Sequence, residues 1–408
     1  MVKGDIKNFF EDYLGKESIF KNKKVLQTSY TPETIPHRDD QVNEIAGILA
    51  PVLRNEKPSN LFLYGKTGTG KTLSVLHVVN NLKSISKSKG LPLHIAYINC
   101  KLKRVADTEY RLISSLAREF GQENIPVTGL PTDEVYRLFI KNIEKGPNQI
   151  ILILDEIDQL VKKAGDEILY NLTRINTELK NTQITFIGIS NDLRFANDLD
   201  PRVKSSLAEE DLNFPSYNAL QLQDILVQRS SEAFKEKIIS EGVIEKCAAY
   251  AAREHGDARR ALDLLRVAGE LAERKNDLKV KINHIDEAES KIENDMVVEV
   301  ISTLPKQSQL TLLAIFDLYE KKGNEKFFTG DVYEIYMDLG IKCGLKPLTQ
   351  RRLSDLIAEL DMLGIINAKV ISKGRYGRTK EIGLAMPQSS IPGLISQLRG
   401  WLSLWKKK

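Results

Sequence analysis

The chain has 408 residues, 42% hydrophobic and 28% charged, which fits a globular protein of roughly two to three domains. No run approaches the ~18–20 consecutive apolar residues of a membrane span. The opening MVKGDIKNFFED lacks an apolar signal core, and the three cysteines (Cys100, Cys247, Cys343) lack metal or disulfide-framework spacing, so a reducing, cytoplasmic setting away from membranes is expected.

Residues 1–30 read as a short helix and an extended lead-in. Val42, Ile45, Ile48, Leu49 and Val52 fall at helical spacing over 41–53. LFLYG (61–65) is a short apolar run ending in glycine, and TLSVLHVVNNLK (72–83) carries a helical stripe. HIAYINC (94–100), QIILILD (149–155) and ITFIGIS (184–190) are further apolar runs. Strands alternating with helices predict a parallel α/β sheet. Past Pro215 the period is helical throughout, in QLQDILVQRSSEAF, VIEKCAAYAAREHG and DARRALDLLRVAGELAERK, which predicts a small all-α domain ending near Asp295. The last block reads as helices over 308–321, 329–339 and 349–363, a strand near 366–372, a glycine-rich turn and a strand over 379–384. From Val297 onward 17 Lys/Arg face 11 Asp/Glu, against a net +4 for the whole chain. A basic C-terminal third points to a polyanionic partner there.

GKTGTGKT (65–72) fits GxxxxGK[ST], in which closely spaced glycines let backbone N–H groups converge on phosphate oxygens at a helix N-terminus. The whole octet, Gly65, Lys66, Thr67, Gly68, Thr69, Gly70, Lys71 and Thr72, is the expected nucleotide cradle. Lys71 is assigned to the β/γ-phosphates and the Thr72 hydroxyl to Mg²⁺. ILILDEID (151–158) ends an apolar strand at Asp155, a second Mg²⁺ candidate, followed by Glu156 to orient or deprotonate the attacking water. Asp158 reads either as part of this set or as a helix N-terminal acid. Asn191, closing the strand ITFIGIS, is either a γ-phosphate or water contact or a turn residue.

With these parts in this order the chain resembles an AAA+ ATPase. TPETIPHRDDQVNEI (31–45), LDPRVKSSL (199–207) and HGDARRALDLLR (255–266) narrow the resemblance to the archaeal origin-recognition and replication-licensing initiator family, over about residues 20–384. The resemblance implies an α/β fold: an AAA+ P-loop parallel-sheet base (31–214) after a lead-in (1–30), an all-α lid (215–295), a winged-helix DNA-binding domain (296–390) and a tail (391–408). It places Arg38, in Pro36-His37-Arg38, on the adenine side of the nucleotide, with Tyr217 in the nucleotide-binding set. Arg259 corresponds to the lid arginine that reports on the β/γ-phosphates. Arg202 is either an arginine finger acting on a neighbour's nucleotide or a structural arginine, since Ser206 stands where eukaryotic relatives carry a second arginine. A helical insert over about 101–130 touches DNA in the family; Lys103, Arg104 and Arg111 are its candidates here, the alternative being a solvated helix face. The implied cofactors are ATP or ADP with Mg²⁺. The implied partners are double-stranded origin DNA and the replicative helicase or other initiator paralogues, with no membrane. The implied activity is a weak, Mg²⁺-dependent ATPase working as a conformational switch, in a nucleoid-associated cytoplasmic protein. A branch-migration-type translocase or a signal-dependent regulatory ATPase are the competing expectations.

TQRRLSDLIAELDMLGII sets Leu353, Leu356, Ile357, Leu360 and Leu363 on one face with Thr349 as N-cap. Gln350, Arg351 and Arg352 then begin the opposite face, where a recognition helix meets base edges. The following ISKGRYGRTKEIGL reads as a wing with Lys373, Arg375, Tyr376, Arg378 and Lys380 at or near its tip. The bland alternative is an Arg351–Asp355 pair on a protein-binding winged helix. ISQLRGWLSLWKKK, which holds Trp401 and Trp405, reads as an amphipathic helix on its own domain or as a partner hook.

Overall fold

The computed structural model describes residues 8, 10, 15, 17–28, 30–101, 108–121, 129–146, 149–207, 209–323, 327–372, 378–386 and 391–404. The chain divides into two compact units, Met1–Ala288 and Glu289–Lys408.

The first unit is built on a five-stranded sheet of order β2-β3-β4-β1-β5, all neighbours parallel. Its strands are β1 (Leu61–Tyr64), β2 (Leu93–Asn99), β3 (Gln149–Asp155), β4 (Gln183–Ser190) and β5 (Glu210–Asn213). Helices cover both faces, so the central strands are continuous apolar runs without alternation, and every residue of β3 is buried. Phe62, Leu152, Leu154 and Phe186 face one core, while Leu61, Leu63, Ile151, Ile153 and Ile187 face the other. β5 escaped the sequence reading because it is an acidic edge strand with Leu212 alone buried. The register aligns Asn99 with Asp155 and Tyr64 with Ser190, which brings the strand C-terminal ends to one rim. Parallel sheets of this kind bind ligands at that rim.

Helix α1 (Asp39–Leu49) precedes β1, and α2 (Lys71–Ser88) follows it directly. After β2 come α3 (Glu109–Glu119), capped by Thr108, and α4 (Thr132–Ile143), an element the sequence reading did not assign. Their buried Leu112, Leu116, Val135 and Phe139 join the β-sheet core. β3 leads into α5 (Ile157–Ala164) and α6 (Glu167–Arg174), and α7 (Pro201–Leu207) precedes β5. The all-helical segment then follows: α8 (Ala219–Ala233), opened by a capping box between Asn218 and Gln221, α9 (Val243–Arg253) and α10 (Ala258–Arg274). The lead-in is fastened to this segment, with Phe20 stacked on Phe234 and the Lys21 amide donating to the Ala233 carbonyl.

Helix α11 (Ile282–Thr303) runs through the division at Ala288, and Asp295, the expected domain end, lies inside it. In the second unit α12 (Lys306–Lys322), α13 (Thr329–Cys343) and α14 (Gln350–Met362) pack on an antiparallel sheet of order β6-β8-β7. Here β6 is Phe327–Phe328, β7 Ile366–Ser372 and β8 Arg378–Leu384, giving the expected winged-helix fold. Two residues are too few to carry a period, which is why β6 was not anticipated. The tail forms α15 (Ile391–Leu404), whose Leu394, Ile395 and Leu398 are buried in the winged-helix core; Trp405 lies outside the described residues. Among the described residues no helix is long and apolar enough to cross a membrane.

Candidate functional site

The loop between β1 and α2 turns through Gly68 (φ 72°) and Gly70 (φ 91°), left-handed conformations that favour glycine. Lys71 opens α2 with 4% exposure, and its Nζ donates to the carbonyls of Gly65 (2.7 Å) and Lys66 (2.8 Å). Burial pulls its pKa down to about 8, opposed by the nearby Asp155 carboxylate. The Thr72 hydroxyl donates to Asp155 Oδ2 at 2.9 Å, and the Tyr97 hydroxyl donates to the same oxygen at 2.7 Å. Burial and this carboxylate raise the Tyr97 pKa, so the phenol stays a donor. A hydroxyl and a carboxylate oxygen meeting at the mouth of a glycine turn are the hard oxygen donors that suit Mg²⁺ beside phosphates. Thr72 and Asp155 would hold that ion, whose chemistry is to neutralise phosphate charge.

Glu156, next along the chain, has φ 53° and is the N-cap of α5. A left-handed non-glycine residue costs on the order of 1–3 kcal/mol, and such strain is commonest where a side chain must be aimed. Its Oε2 lies 3.8 Å from Lys101 Nζ. Asp158, by contrast, is buried and accepts from the Ser190 hydroxyl at 3.2 Å, tying α5 to β4.

The helical segment docks on the same loop. The Ala258 amide donates to the Gly68 carbonyl at 3.2 Å, and the Asp257 carboxylate caps α10 by accepting from Arg259 N (2.7 Å) and Arg260 N (3.3 Å). A Cβ on Gly68 would fall 1.8 Å from Asp257 Oδ1. Arg38, 2% exposed, donates through Nε to the Thr69 carbonyl (2.8 Å) and through Nη2 to the Pro215 carbonyl (2.5 Å), with its guanidinium 3.9 Å from the Tyr217 ring centroid. Arg38 therefore braces the loop from behind.

These elements enclose a cavity of about 350 Å³, within the range of small-molecule sites. Of the residues singled out in the sequence, Gly68, Thr69, Gly70, Lys71, Thr72, Asp155, Glu156, Asn191, Tyr217 and Arg259 line it together. Gly65, Lys66, Thr67 and Arg38 are not on its wall; Lys66 Nζ lies 3.4 Å from His255 Nδ1. Arg202 is elsewhere, exposed, donating through Nε and Nη2 to the two Asp200 oxygens at 3.0 Å and stacked 5.3 Å from the Tyr170 ring. Those bonds pull the Asp200 pKa down to about 2. The sequence reading missed Tyr97, Asp257, Tyr30 and Arg229, which sit at or beside the cavity. Asp257 carries a signal in the sequence, a helix-opening acid next to Gly256.

In the second unit the Thr349 hydroxyl accepts from Arg352 N (3.5 Å), and Gln350, Arg351 and Arg352 are exposed on the first turn of α14. Asp355 pairs with Arg352 at 3.5 Å, three residues away, and not with Arg351, the partner named in the alternative reading. Lys380 turns inward, its Nζ donating to the Ser354 carbonyl at 2.7 Å, so it ties β8 to α14. Lys373, Arg375, Tyr376 and the Arg378 side chain lie outside the described residues, as do Lys103 and Arg104. Arg111 is half-buried in the first turn of α3.

Three family models match the chain in order: the AAA domain over residues 54–195, the Cdc6 AAA+ ATPase-type lid domain over 223–290, and the CDC6 C-terminal winged helix domain over 299–392. The chain is 55% identical to the ORC1-type DNA replication protein of Pyrococcus furiosus, covering 95% of this chain and 92% of that one. It is 53% identical to the ORC1-type DNA replication protein 1 of Archaeoglobus fulgidus, covering 92% and 90%. Among solved structures, that of the Aeropyrum pernix ORC1 protein in complex with DNA matches with a TM-score of 0.79 and 44% identity, over 94% of this chain and 98% of that one.

Proposed function

The chain belongs to the ORC1/Cdc6-type family of AAA+ DNA replication initiators, and on that premise we propose that it holds origin duplex DNA in a manner governed by the nucleotide in the loop 65–72, and then recruits the replicative helicase. The observation that carries this reading is that Asp257 and Ala258, at the start of α10, meet the loop residue Gly68, while Ala258 and Arg259 share a cavity with Lys71, Asp155 and Glu156. A nucleotide there is gripped by two parts of the fold at once, so its phosphate count biases their arrangement.

In this reading Lys71 neutralises the β/γ-phosphates, and Thr72 and Asp155 hold Mg²⁺. Tyr97 orients the Asp155 carboxylate by donating to Oδ2. Glu156 accepts the proton of the attacking water, Asn191 positions that water or the terminal phosphate, and Arg259 stabilises the charge that develops there. Hydrolysis is weak, as a switch requires a long-lived state. Arg202 can reach a neighbour's nucleotide only by giving up its paired bonds to Asp200. Gln350, Arg351 and Arg352 read base edges while the wing residues Lys373, Arg375, Tyr376 and Arg378 bind backbone, helped by the insert.

The test is retention of fragments of the protein's own genome at physiological salt, with and without ATP, followed by footprinting. Protection of a small set of preferred duplex sites supports the reading. Equal protection of random DNA, or no retention in either nucleotide condition, overturns it.

A further inference from the structure

The loop 65–72 fixes where phosphates bind, so the base and sugar of a bound nucleotide must occupy the far end of the cavity, between the lead-in and α8. Most of that wall is already satisfied or apolar. Ile35, Ile225 and Leu262 present hydrocarbon, and the Gln228 side-chain amide donates to Thr34 Oγ1 at 2.9 Å.

Arg229 is the buried exception. It lies on α8 at 6% exposure, lines the cavity, and has its guanidinium 4.7 Å from the Tyr30 ring centroid. The Tyr30 hydroxyl donates to Glu232 Oε2 at 3.1 Å, so the ring that supports Arg229 is itself anchored. Yet Arg229 Nη1 is buried with no hydrogen-bond partner. Burial also lowers the pKa of the guanidinium from its ordinary value, with Glu232 and Tyr30 opposing the shift. A buried, unpaired charged donor is among the most costly groups to leave unsatisfied. Guanidinium carries donors and no acceptor, so whatever completes it must be an acceptor. Glutamine or threonine at this place could accept as well as donate; arginine cannot, which makes the demand one-sided.

We infer that Arg229 is a base-recognition residue, its Nη1 donating to a ring nitrogen of the purine of the bound nucleotide. This rests on the nucleotide-binding reading of the cavity and adds to it a specificity determinant carried by the helical segment. The purine plane stacks among the apolar walls while the arginine, held over the Tyr30 ring, reads its edge. Because α8 and α10 belong to one helical segment, the base end and the phosphate end of the ligand are then gripped by the same body.

The experiment uses the full-length chain and measures equilibrium binding of ATP, of 1-, 3- and 7-deaza-ATP, and of inorganic tripolyphosphate. The wild type is compared with Arg229→Met and Arg229→Lys. Loss of one charge-assisted hydrogen bond predicts that one of the three deaza analogues binds the wild type about 10- to 100-fold more weakly than ATP. Arg229→Met should bind ATP as weakly as the wild type binds that analogue, with no further loss for the analogue itself, and tripolyphosphate affinity should not change. If the wild type binds all three analogues as well as ATP, the inference fails without any variant being needed. If Arg229→Met weakens tripolyphosphate and ATP equally, Arg229 is a packing residue only and the inference fails. A wild type that binds neither ATP nor tripolyphosphate would overturn the nucleotide reading as well, which separates the two failures.

Discussion

Replacing Gly68 with alanine probes the contact between the phosphate loop and α10. The residue sits at φ 72°, where an L side chain costs about 1 kcal/mol. Its new Cβ would also fall 1.8 Å from Asp257 Oδ1 and 2.2 Å from Asp257 Cγ. That carboxylate is not free to swing, because it accepts from Arg259 N at 2.7 Å and Arg260 N at 3.3 Å. Either the cap breaks, at about 1 kcal/mol, or α10 backs away and loses the Ala258 N to Gly68 carbonyl bond, at about 1 kcal/mol. Both routes bring the total to ~2 kcal/mol, or roughly 30-fold in the docking equilibrium. Trp401 and Trp405 belong to the C-terminal unit, so intrinsic fluorescence reports the wrong part. Hydrogen exchange at the amides of α10 reads the docking directly. A double-mutant cycle with Asp257→Ala isolates the clash: the pair should be less destabilised than the sum of the singles by ~1 kcal/mol. Additivity within ~0.5 kcal/mol would refute the claim that Asp257 occupies the space above Gly68.

The nucleotide site and the DNA-reading helix yield four further expectations. Glu156→Gln should bind ATP with unchanged affinity and hydrolyse it at least ~100-fold more slowly; an unchanged single-turnover rate would remove Glu156 from its assigned role. Lys71, whose pKa is about 8 against an ordinary 10.5, is disfavoured as an ammonium by the fold. Between those values the folded chain binds fewer protons than the unfolded one, so stability should rise with pH through that window and be flat with respect to Lys71 below it. Phosphates restore the charge, and ATP binding near pH 8.5 should therefore take up protons, seen as a buffer-dependent calorimetric enthalpy that vanishes in Lys71→Met. Finally, Arg351→Ala or Arg352→Ala should cost ~1–3 kcal/mol on the preferred DNA site with little change on random DNA; equal losses on both would place these residues on phosphates.

What the sequence disclosed and what it concealed divide along physical lines. The buried strands were legible because helices cover both sheet faces, leaving uninterrupted apolar runs such as ILIL ahead of Asp155. The glycine loop was legible because its residues must satisfy backbone geometry and phosphate chemistry within eight positions. β5 and β6 were hidden because four acidic-edged residues and two phenylalanines carry no period. Tyr97 and Arg229 were hidden for another reason. Each is an ordinary member of its strand or helix in sequence, and becomes part of the site only when Asp155 or Tyr30 arrives from 58 residues downstream or from the distant lead-in. The bonds of Arg38 to the Thr69 and Pro215 carbonyls were hidden for the same reason, since those partners reach it only after folding.

The separation between the two ends of the cavity bears on how one chain can distinguish ATP from ADP. Both nucleotides share the base, so on the proposed placement Ile225, Arg229 and Leu262, which line the cavity, would act on them alike and set affinity without setting state. The difference must arise where the terminal phosphate would lie, near Asp155, Glu156, Asn191 and Arg259. Arg259 and Asp257 open the same helix with opposite charges, and an added phosphate attracts one and repels the other. A helix that both holds the common end of the ligand through its packed neighbour α8 and meets the variable end with a charged pair converts one phosphate into a bias on a whole body. That bias is limited by the differential interaction at those few atoms, which argues for a switch of a few kcal/mol and against a motor that must deliver repeated work.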